Sequence, residues 1–361
     1  MSSLSSKLIL HLGASKCGSS ALQTALSLQP EMRTRNGGKT VYAAITKDGE
    51  CLTGRSLIRH THQNRFGYIS SVSARQMEKW ADKTRAYARS SLKKTLQSTN
   101  QLILSNEAWV NELSYFQSSG LFDAISCPID VVLYVRPPVD WMNSAWWQWG
   151  AWTKAPLRKW ARMNLRLCTW SEALHQWETL PQVKQCRVRL LPSNITSDFY
   201  ELLNVDTSSH EKNRSNTSLP GTLLRLIQMH PDLRPGAHAS LIDFVLARHI
   251  RELQSPTPWV INQDLAQWII EQTLDSNKGL QTWLNEAERK IMAQDPRWWD
   301  ASAYREKTLV KPRQAVLSRQ DLDAVAYQAI QSVIKLDEEN YRLRGELERA
   351  KSGIASFLRS K

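Results

Sequence analysis

A glycine-rich segment with one lysine and three serines lies near the amino end of the chain, where residues 13–20 read G-A-S-K-C-G-S-S. It follows an apolar run over residues 8–12 that has the length of a β-strand, and a helical pattern begins at Ser19 or Ser20. In a strand–loop–helix arrangement, backbone N–H groups at the start of the helix can hold an anionic oxygen group. The spacing therefore predicts an anion-binding loop.

The lysine of this loop is displaced from the place it has in the nucleoside triphosphate loop, G-x-x-x-x-G-K-[ST]. Ser19 stands where that pattern has lysine, and Lys16 lies inside the loop instead. A lysine can still meet the anion, but it comes from a different direction. The alternative enzyme class, a nucleotide kinase or NTPase, predicts a lysine at position 19.

A carboxylate follows the second apolar run, which covers residues 101–105 and ends in Ser105-Asn106-Glu107. In a parallel α/β sheet, residues just beyond the carboxyl end of a strand line the ligand crevice. We therefore expect Glu107 to act as a general base that takes a proton from an acceptor hydroxyl. The alternative is that Glu107 stabilises the dipole of a helix predicted over residues 108–118.

An arginine follows the third apolar run, which covers residues 129–135 and is rich in β-branched residues, as a buried strand is. Two prolines come after Arg136, a helix is expected from about residue 139, and Ser144 lies on that helix. An arginine fork together with a hydroxyl suits a terminal phosphate group. This region therefore predicts a second anion contact.

These motifs together resemble those of sulfotransferases that use 3′-phosphoadenosine 5′-phosphosulfate (PAPS), and most closely the bacterial and carbohydrate-type members. Residues 11–23 match the pattern H-x-G-x-x-K-x-G-[ST]-[ST]-x-L-Q of the family's 5′-phosphosulfate loop, with Cys17 where the family usually has threonine. The spacing of Arg136 and Ser144 is similar to the family's 3′-phosphate motif. The ending Ser-x-Glu resembles the strand end that carries the proposed base, and residues 211–220 resemble the loop that closes over the cosubstrate.

The resemblance implies transfer of a sulfuryl group from PAPS to a hydroxyl of an acceptor. The protein would hold the nucleotide by two contacts, one at each of its phosphate-bearing ends. Catalysis is assigned to Lys16 and Glu107. The residues implied for cosubstrate binding are Lys16, Cys17, Gly18, Ser19, Ser20, Arg136, Ser144 and Arg214. No metal is expected, because no apolar strand ends in a magnesium-holding aspartate. The alternatives are the nucleotide kinase or NTPase and a non-catalytic nucleotide-binding protein that assembles through its C-terminal helix.

The fold implied for residues 1–220 is three-layer α/β/α with a mainly parallel sheet, the P-loop NTPase-like sulfotransferase fold. Residues 221–361 are expected to form a helical extension, because the resemblance ends near Pro220. The periodicity predicts helices over residues 73–98, 221–253, 262–274, 279–294 and 318–352.

Composition limits the partners and the compartment. The 361 residues carry a formal net charge of +13, which favours anionic partners, but the absence of a long Lys/Arg block argues against nucleic acid. Five scattered cysteines without a C-x-x-C pair are typical of neither a zinc site nor a disulfide framework. No run reaches the roughly 20 apolar residues of a membrane span. These features predict a cytoplasmic protein without a membrane span.

A tryptophan cluster suggests where an acceptor binds. On a helix continuing to residue 152, Trp146, Trp149 and Trp152 share one face and could stack on a sugar ring. A basic patch adds charge, and it comprises Arg55, Arg59, His60, His62 and Arg65. These features favour a saccharide acceptor, although packing in the core and a solvated surface remain the alternatives.

The last predicted helix, residues 318–352, carries a heptad pattern. Two sets of residues recur at intervals of seven: Leu322, Ala329, Leu336 and Leu343, and Ala326, Val333, Asn340 and Leu347. A single asparagine in such a seam sets the register of coiled coils. The pattern predicts a homodimer through this helix, and packing on the helix's own domain is the alternative.

Overall fold

The computed structural model describes residues 6–206, 219–250, 253, 255–313 and 317–359. Contacts group the chain into two compact units. The first comprises the described parts of residues 1–216 and 259–312, and the second those of residues 217–258 and 313–361.

The first unit contains a sheet of seven strands. They are β1 (Lys7–Leu12), β2 (Glu31–Arg33), β3 (Lys39–Ile45), β4 (Cys51–Leu52), β5 (Gln101–Asn106), β6 (Ile129–Val135) and β7 (Val183–Leu190). Their order is β2-β3-β5-β1-β6-β7, with β4 paired to β3. The strands from β3 to β7 in this order are parallel, whereas β2 and β4 run antiparallel to β3.

Helices flank this sheet, an α/β arrangement consistent with three layers. In the first unit they are α1 (Ser19–Leu28), α2 (Gly54–Gln63), α3 (Ala74–Glu78), α4 (Asp82–Gln97), α5 (Leu113–Ser119), α6 (Pro138–Gln148), α7 (Leu157–Asn164), α8 (Trp170–Glu178) and α9 (Ile195–Leu202). The second unit contains α10 (Gly221–Met229) and α11 (Leu241–His249). The remaining helices are α12 (Gln263–Leu280), α13 (Glu286–Gln294) and α14 (Arg319–Arg359).

The central strands form the core of the first unit. All seven residues of β6 are buried, as are Leu8 to Leu12 of β1. Strands that are covered on both faces read as continuous apolar runs, which is why the sequence located β1, β5 and β6 closely. Full burial of one aliphatic side chain stabilises the fold by about 1.5–3 kcal/mol.

The order in which the chain adds strands to the sheet changes side at β1. The early strands, β3 and β5, lie on one side of β1, and the later strands β6 and β7 lie on the other. In open α/β sheets, ligands bind outside the carboxyl ends of the strands at such a reversal. The segments that follow Leu12, Asn106 and Val135 therefore meet at the edge where a ligand is expected.

Two predicted helices are interrupted. The helix predicted over residues 73–98 is wrong in its middle, because the chain leaves α3 at Glu78 and re-enters a helix at Asp82. The buried Trp80 lies between them and donates its indole N–H to the Lys47 carbonyl at 2.8 Å. The helix predicted over residues 221–253 is likewise divided into α10 and α11 around Pro231, since proline cannot continue a helix.

Residues 259–312 belong to the first unit, although the sequence assigned them to the extension. Helix α12 packs on α6 and α8, where Ser276 accepts a hydrogen bond from the Ser171 amide at 3.2 Å. The Asn143 side chain accepts another from the amide of Val260 at 3.0 Å. Amphipathic periodicity reports that a helix has an apolar face but not which element covers it, so the sequence could not show this docking.

Candidate active site at the carboxyl end of β1

The loop between β1 and α1 has the backbone of an anion-binding nest. Lys16 has a φ of 63° and Gly18 a φ of 83°, and Cys17 between them does not share their positive sign. Such alternation is typical of anion-binding nests. In this loop the Cys17 amide donates to the Ala14 carbonyl at 3.1 Å, which closes a turn ahead of Gly18. Gly18 precedes the first residue of α1, so the loop opens directly onto the amino end of that helix, where N–H groups lack intrahelical acceptors.

Two glycines allow the loop to lie this close to its surroundings. A Cβ atom at Gly18 would lie 2.9 Å from Cδ1 of Ile195. A Cβ at Gly13 would lie 3.0 Å from Cβ of Ser19 and 3.3 Å from Cα of Glu107. Gly18 also has a left-handed backbone conformation, which glycine adopts without strain.

Side chains from the β6–α6 connection and from the start of α6 hold the loop from outside. Arg136 donates from Nη1 to the Lys16 carbonyl at 3.3 Å, and the indole N–H of Trp141 donates to the Ser15 carbonyl at 2.7 Å. The Gly13 amide donates to the Asn106 carbonyl at 3.0 Å. The loop is thus fixed by elements on both sides of β1, including the arginine that the sequence singled out.

Glu107 lies at the mouth of the loop. Its Oε1 accepts hydrogen bonds from Ser19 Oγ at 2.7 Å and from Ser20 Oγ at 3.0 Å. The sequence left open whether this carboxylate serves the helix that follows it. The structure instead places Glu107 at the first turn of α1, where a negative charge is favourable.

A buried polar cluster lies next to this loop on β1, β5 and α1. Ser105 Oγ is 2.8 Å from Nδ1 of His11 and accepts a hydrogen bond from Nε2 of Gln23 at 2.9 Å. Burial lowers the pKa of His11 to about 3, so its imidazole is neutral at pH 7. The outer residues of the matched pattern, His11 and Gln23, thus meet each other through a serine of the neighbouring strand.

Cys17 is buried and contributes its backbone to the loop. Burial raises the pKa of its thiol to about 12, against the opposing effect of the positive charge on Arg136. The side chain is therefore a neutral thiol within the core.

Tyr68 is a residue of the site that the sequence did not indicate. Burial, and to a smaller extent the charge of Glu107, raise the pKa of Tyr68 to about 12, against a hydrogen bond with the Ser20 side chain. The segment that carries it is tied to the sheet edge, because the Ser71 amide donates to the Ser105 carbonyl at 3.0 Å. This segment has no regular secondary structure, and no periodicity could have revealed it.

The remaining predicted residues are less closely joined to the loop. Ser144 is half-buried on α6, eight residues beyond Arg136. Arg214 and most of the loop at residues 211–220 lie outside the described residues. The structure therefore brings together Lys16, Ser19, Ser20, Glu107 and Arg136 around the loop.

The tryptophan cluster is divided between the core and the surface. Helix α6 ends at Gln148, so the prediction that it continues to residue 152 is wrong. Trp146 is fully buried and meets Trp160 edge-to-face at 5.6 Å, whereas Trp149 and Trp152 are half-buried. Gly150 lies so close to Trp146 that a Cβ there would be 2.2 Å from its ring, so a larger residue does not fit at this position.

Across the described residues, no group of three or more His, Cys, Asp or Glu side chains could hold a metal ion. None of the described helices combines the length and the apolar character needed to cross a bilayer. Comparison of the chain with protein-family models, curated proteins and solved structures gives no match.

Proposed function

We propose that the chain is a sulfotransferase that moves a sulfuryl group from PAPS to a hydroxyl of an acceptor. The observation that carries the proposal is Lys16, a non-glycine residue with a φ of 63° inside a nest-like loop. A left-handed backbone costs an ordinary residue about 1–2 kcal/mol. Strain of this kind persists where the surroundings enforce it, and it concentrates at functional sites.

The N–H groups at Gly18, Ser19 and Ser20 would hold the 5′-phosphate of the nucleotide. Arg136, which already contacts the loop, would reach the 3′-phosphate together with Ser144, and Arg214 is a further candidate from the sequence. A bidentate arginine distinguishes a terminal phosphate by geometry as well as charge. This second anchor is what would select PAPS over ATP.

Glu107 would change partners when the nucleotide binds. The hydroxyls of Ser19 and Ser20 now donate to its carboxylate, and phosphate oxygens would take over these two donors. The carboxylate, displaced by a second anion, would then be available to the acceptor hydroxyl. A general base must lie within hydrogen-bond reach of the proton that it abstracts, and Glu107 borders the loop where the sulfuryl group would lie.

In the proposed reaction, the acceptor oxygen forms a bond to sulfur while the bond from sulfur to the bridging phosphate oxygen breaks. Glu107 takes the acceptor proton, and Lys16 stabilises the negative charge that develops on the bridging oxygen. The products are a sulfate ester and 3′-phosphoadenosine 5′-phosphate. Positioning and electrostatic stabilisation would carry the catalysis, as they do in phosphoryl transfer.

The acceptor that we propose is a saccharide. Trp149 and Trp152 are half-buried and offer aromatic surface, and the exposed side of α2 carries Arg55 and Arg59. Aromatic surface and exposed cations on one protein suit an anionic glycan. The scattered cysteines favour a reducing compartment, so we place the protein in the cytoplasm.

A thermal-shift measurement with two nucleotides tests the proposal. We expect 3′-phosphoadenosine 5′-phosphate to raise the melting temperature and ATP with magnesium to leave it unchanged, because only the first has a 3′-phosphate. Stabilisation by ATP alone would favour a nucleotide kinase or NTPase. Labelled PAPS and a panel of saccharides would then test transfer, and binding without turnover on any acceptor would favour the non-catalytic assembly protein.

A further inference from the structure

Helix α14 has two parts with different surroundings. In its first part, Val325 is buried and Ser332 donates a hydrogen bond to the His249 carbonyl at 2.5 Å, so this part packs within the second unit. From Val333 to Arg349, every side chain is exposed. The described residues of the chain therefore cover no face of this second part.

The exposed part contains apolar residues that a solvated helix would not need. Val333 is 65% exposed, Leu343 49% and Leu347 54%. Most helical stability in proteins comes from packing of an apolar face rather than from intrinsic propensity. The helix therefore calls for a partner that covers one side of it.

The spacing of these residues specifies the kind of partner. Val333, Asn340 and Leu347 recur at intervals of seven and occupy the a positions of a heptad, while Leu336 and Leu343 occupy the d positions. A β-branched residue at a with leucine at d favours two parallel strands, and one asparagine at a fixes register and oligomer state. We call these five positions the heptad seam.

The charges beside the seam specify the orientation. Glu339 and Glu346 lie at g positions, and Arg344 and Lys351 lie five residues later at e positions. In a parallel in-register pair, each g glutamate faces an e cation of the other helix, and such pairs set orientation and partner choice. In an antiparallel pair, g positions face g positions, so the two glutamates would meet glutamates.

We propose that a second copy of this chain covers the heptad seam, forming a parallel in-register coiled coil. The exposed seam, the asparagine and the charge complementarity across the seam all belong to the same stretch of α14. The inference is independent of the proposed sulfotransferase activity, because none of these residues belongs to the loop at β1.

Charge-reversed variants of the full-length protein test the partner. We expect wild type to sediment as a dimer at micromolar concentration. The variants Glu339→Lys/Glu346→Lys and Arg344→Glu/Lys351→Glu should each raise the dimer dissociation constant about tenfold or more, since several pairs become repulsive. An equimolar mixture of the two should form heterodimers with nearly wild-type affinity, because opposite charges again face each other.

Matched changes away from the seam provide the control. Glu338→Lys/Glu348→Lys alters the charge equally at f and b positions, and its dissociation constant should stay within about twofold of wild type. Wild type that sediments as a monomer, trimer or tetramer would overturn the proposal. A mixture of the two seam variants that fails to associate would also overturn it. Association in the mixture would show that each variant alone had lost its pairing and not its folding.

A cysteine at the asparagine position tests the orientation. Asn340→Cys places the two thiols opposite each other in a parallel in-register dimer, so air oxidation should link the chains. Glu338→Cys, which points away from the seam, should remain unlinked. A dimer in which Asn340→Cys stays unlinked would contradict the parallel register.

Discussion

The carboxyl end of β1 and the exposed part of α14 both carry polar residues in a regular pattern. They differ in whether those residues already have partners within the described part of the chain. At β1, Glu107 already accepts hydrogen bonds from Ser19 and Ser20, and Arg136 already holds the Lys16 carbonyl. In α14, the residues from Val333 to Arg349 are exposed. The first region is therefore organised before any ligand arrives, whereas the second is complete only when a partner covers it.

This difference predicts where substitutions act. Changes at β1 should alter binding or catalysis in each single chain, and changes in α14 should alter association alone. A substitution at β1 that changes association, or one in α14 that changes catalysis, would show that the two regions are coupled.

Glu107→Gln should produce the largest effect. Transfer should fall about 10²- to 10⁴-fold, the usual contribution of a general base, because the amide cannot take the acceptor proton. Affinity for 3′-phosphoadenosine 5′-phosphate should persist, since the phosphates replace this side chain at the serines. Initial rates with labelled PAPS and calorimetric titration would check both quantities. Unchanged turnover would remove Glu107 as the base, and the exposed Glu31→Gln provides the control.

Lys16 should separate activity from stability. Lys16→Ala and Lys16→Gly should each lower transfer about 10²- to 10³-fold, by analogy with the loss of one oxyanion donor. The glycine variant should be the more stable of the two by about 1 kcal/mol, because glycine tolerates the left-handed backbone. Chemical denaturation measures this difference. Asn204→Gly changes the other non-glycine residue of positive φ among the described residues and should retain activity. An active Lys16→Ala would refute the role assigned to the lysine.

His11 should make stability depend on pH. Its pKa is lowered from 6.5 to about 3 in the fold, so between these values the unfolded chain binds more protons. This contribution to stability is present above pH 6.5 and is lost as the pH falls towards 3, by up to about 1.4 kcal/mol per pH unit. Urea denaturation at pH 7 and pH 5 should show a smaller decrease for His11→Asn than for wild type. Equal decreases would contradict the neutral buried imidazole.

Gly18 and Gly37 form a matched pair for the loop. Both have φ near +80°, but a Cβ at Gly18 meets Ile195, whereas a Cβ at Gly37 meets nothing within 4 Å. Gly37→Ala should cost about 1–2 kcal/mol of unfolding free energy from the backbone alone. Gly18→Ala should cost about 1–3 kcal/mol more because of overpacking, and it should weaken nucleotide binding. Equal losses in thermal unfolding would mean that the loop is not tightly packed.

Glu338→Lys on α14 should have the smallest effect. The residue is exposed and lies opposite the heptad seam, so the unfolding free energy should change by no more than about 0.5 kcal/mol. Transfer should be unchanged. A large loss of activity in this variant would show that α14 serves the site at β1, and the comparison between the two regions would fail.

The sequence predicted the parts of the site that follow buried parallel strands. Residues beyond β1, β5 and β6 could be located because those strands are continuous apolar runs. The hydrogen bonds from the two serines to Glu107 could not be predicted, because they depend on the β1–β5 pairing that sets Leu12 beside Asn106. Tyr68 lies in an irregular segment, and such segments leave no period in a sequence.

Tertiary packing decided the other differences. Trp146 shares a helical face with Trp149 in the sequence pattern, yet α6 ends at Gln148 and Trp146 lies in the core, where only glycine fits at position 150. Helix α12 could be predicted as a helix, but its packing on α6 and α8 required the structure.

A crystal structure of the protein with 3′-phosphoadenosine 5′-phosphate is the decisive test of the two nucleotide contacts. We expect the 5′-phosphate to lie on the N–H groups from Gly18 to Ser20 and the 3′-phosphate to meet the guanidinium of Arg136. We also expect Ser19 to donate to phosphate instead of Glu107. A nucleotide bound away from the carboxyl end of β1, or one whose 3′-phosphate lies in solvent, would contradict these expectations.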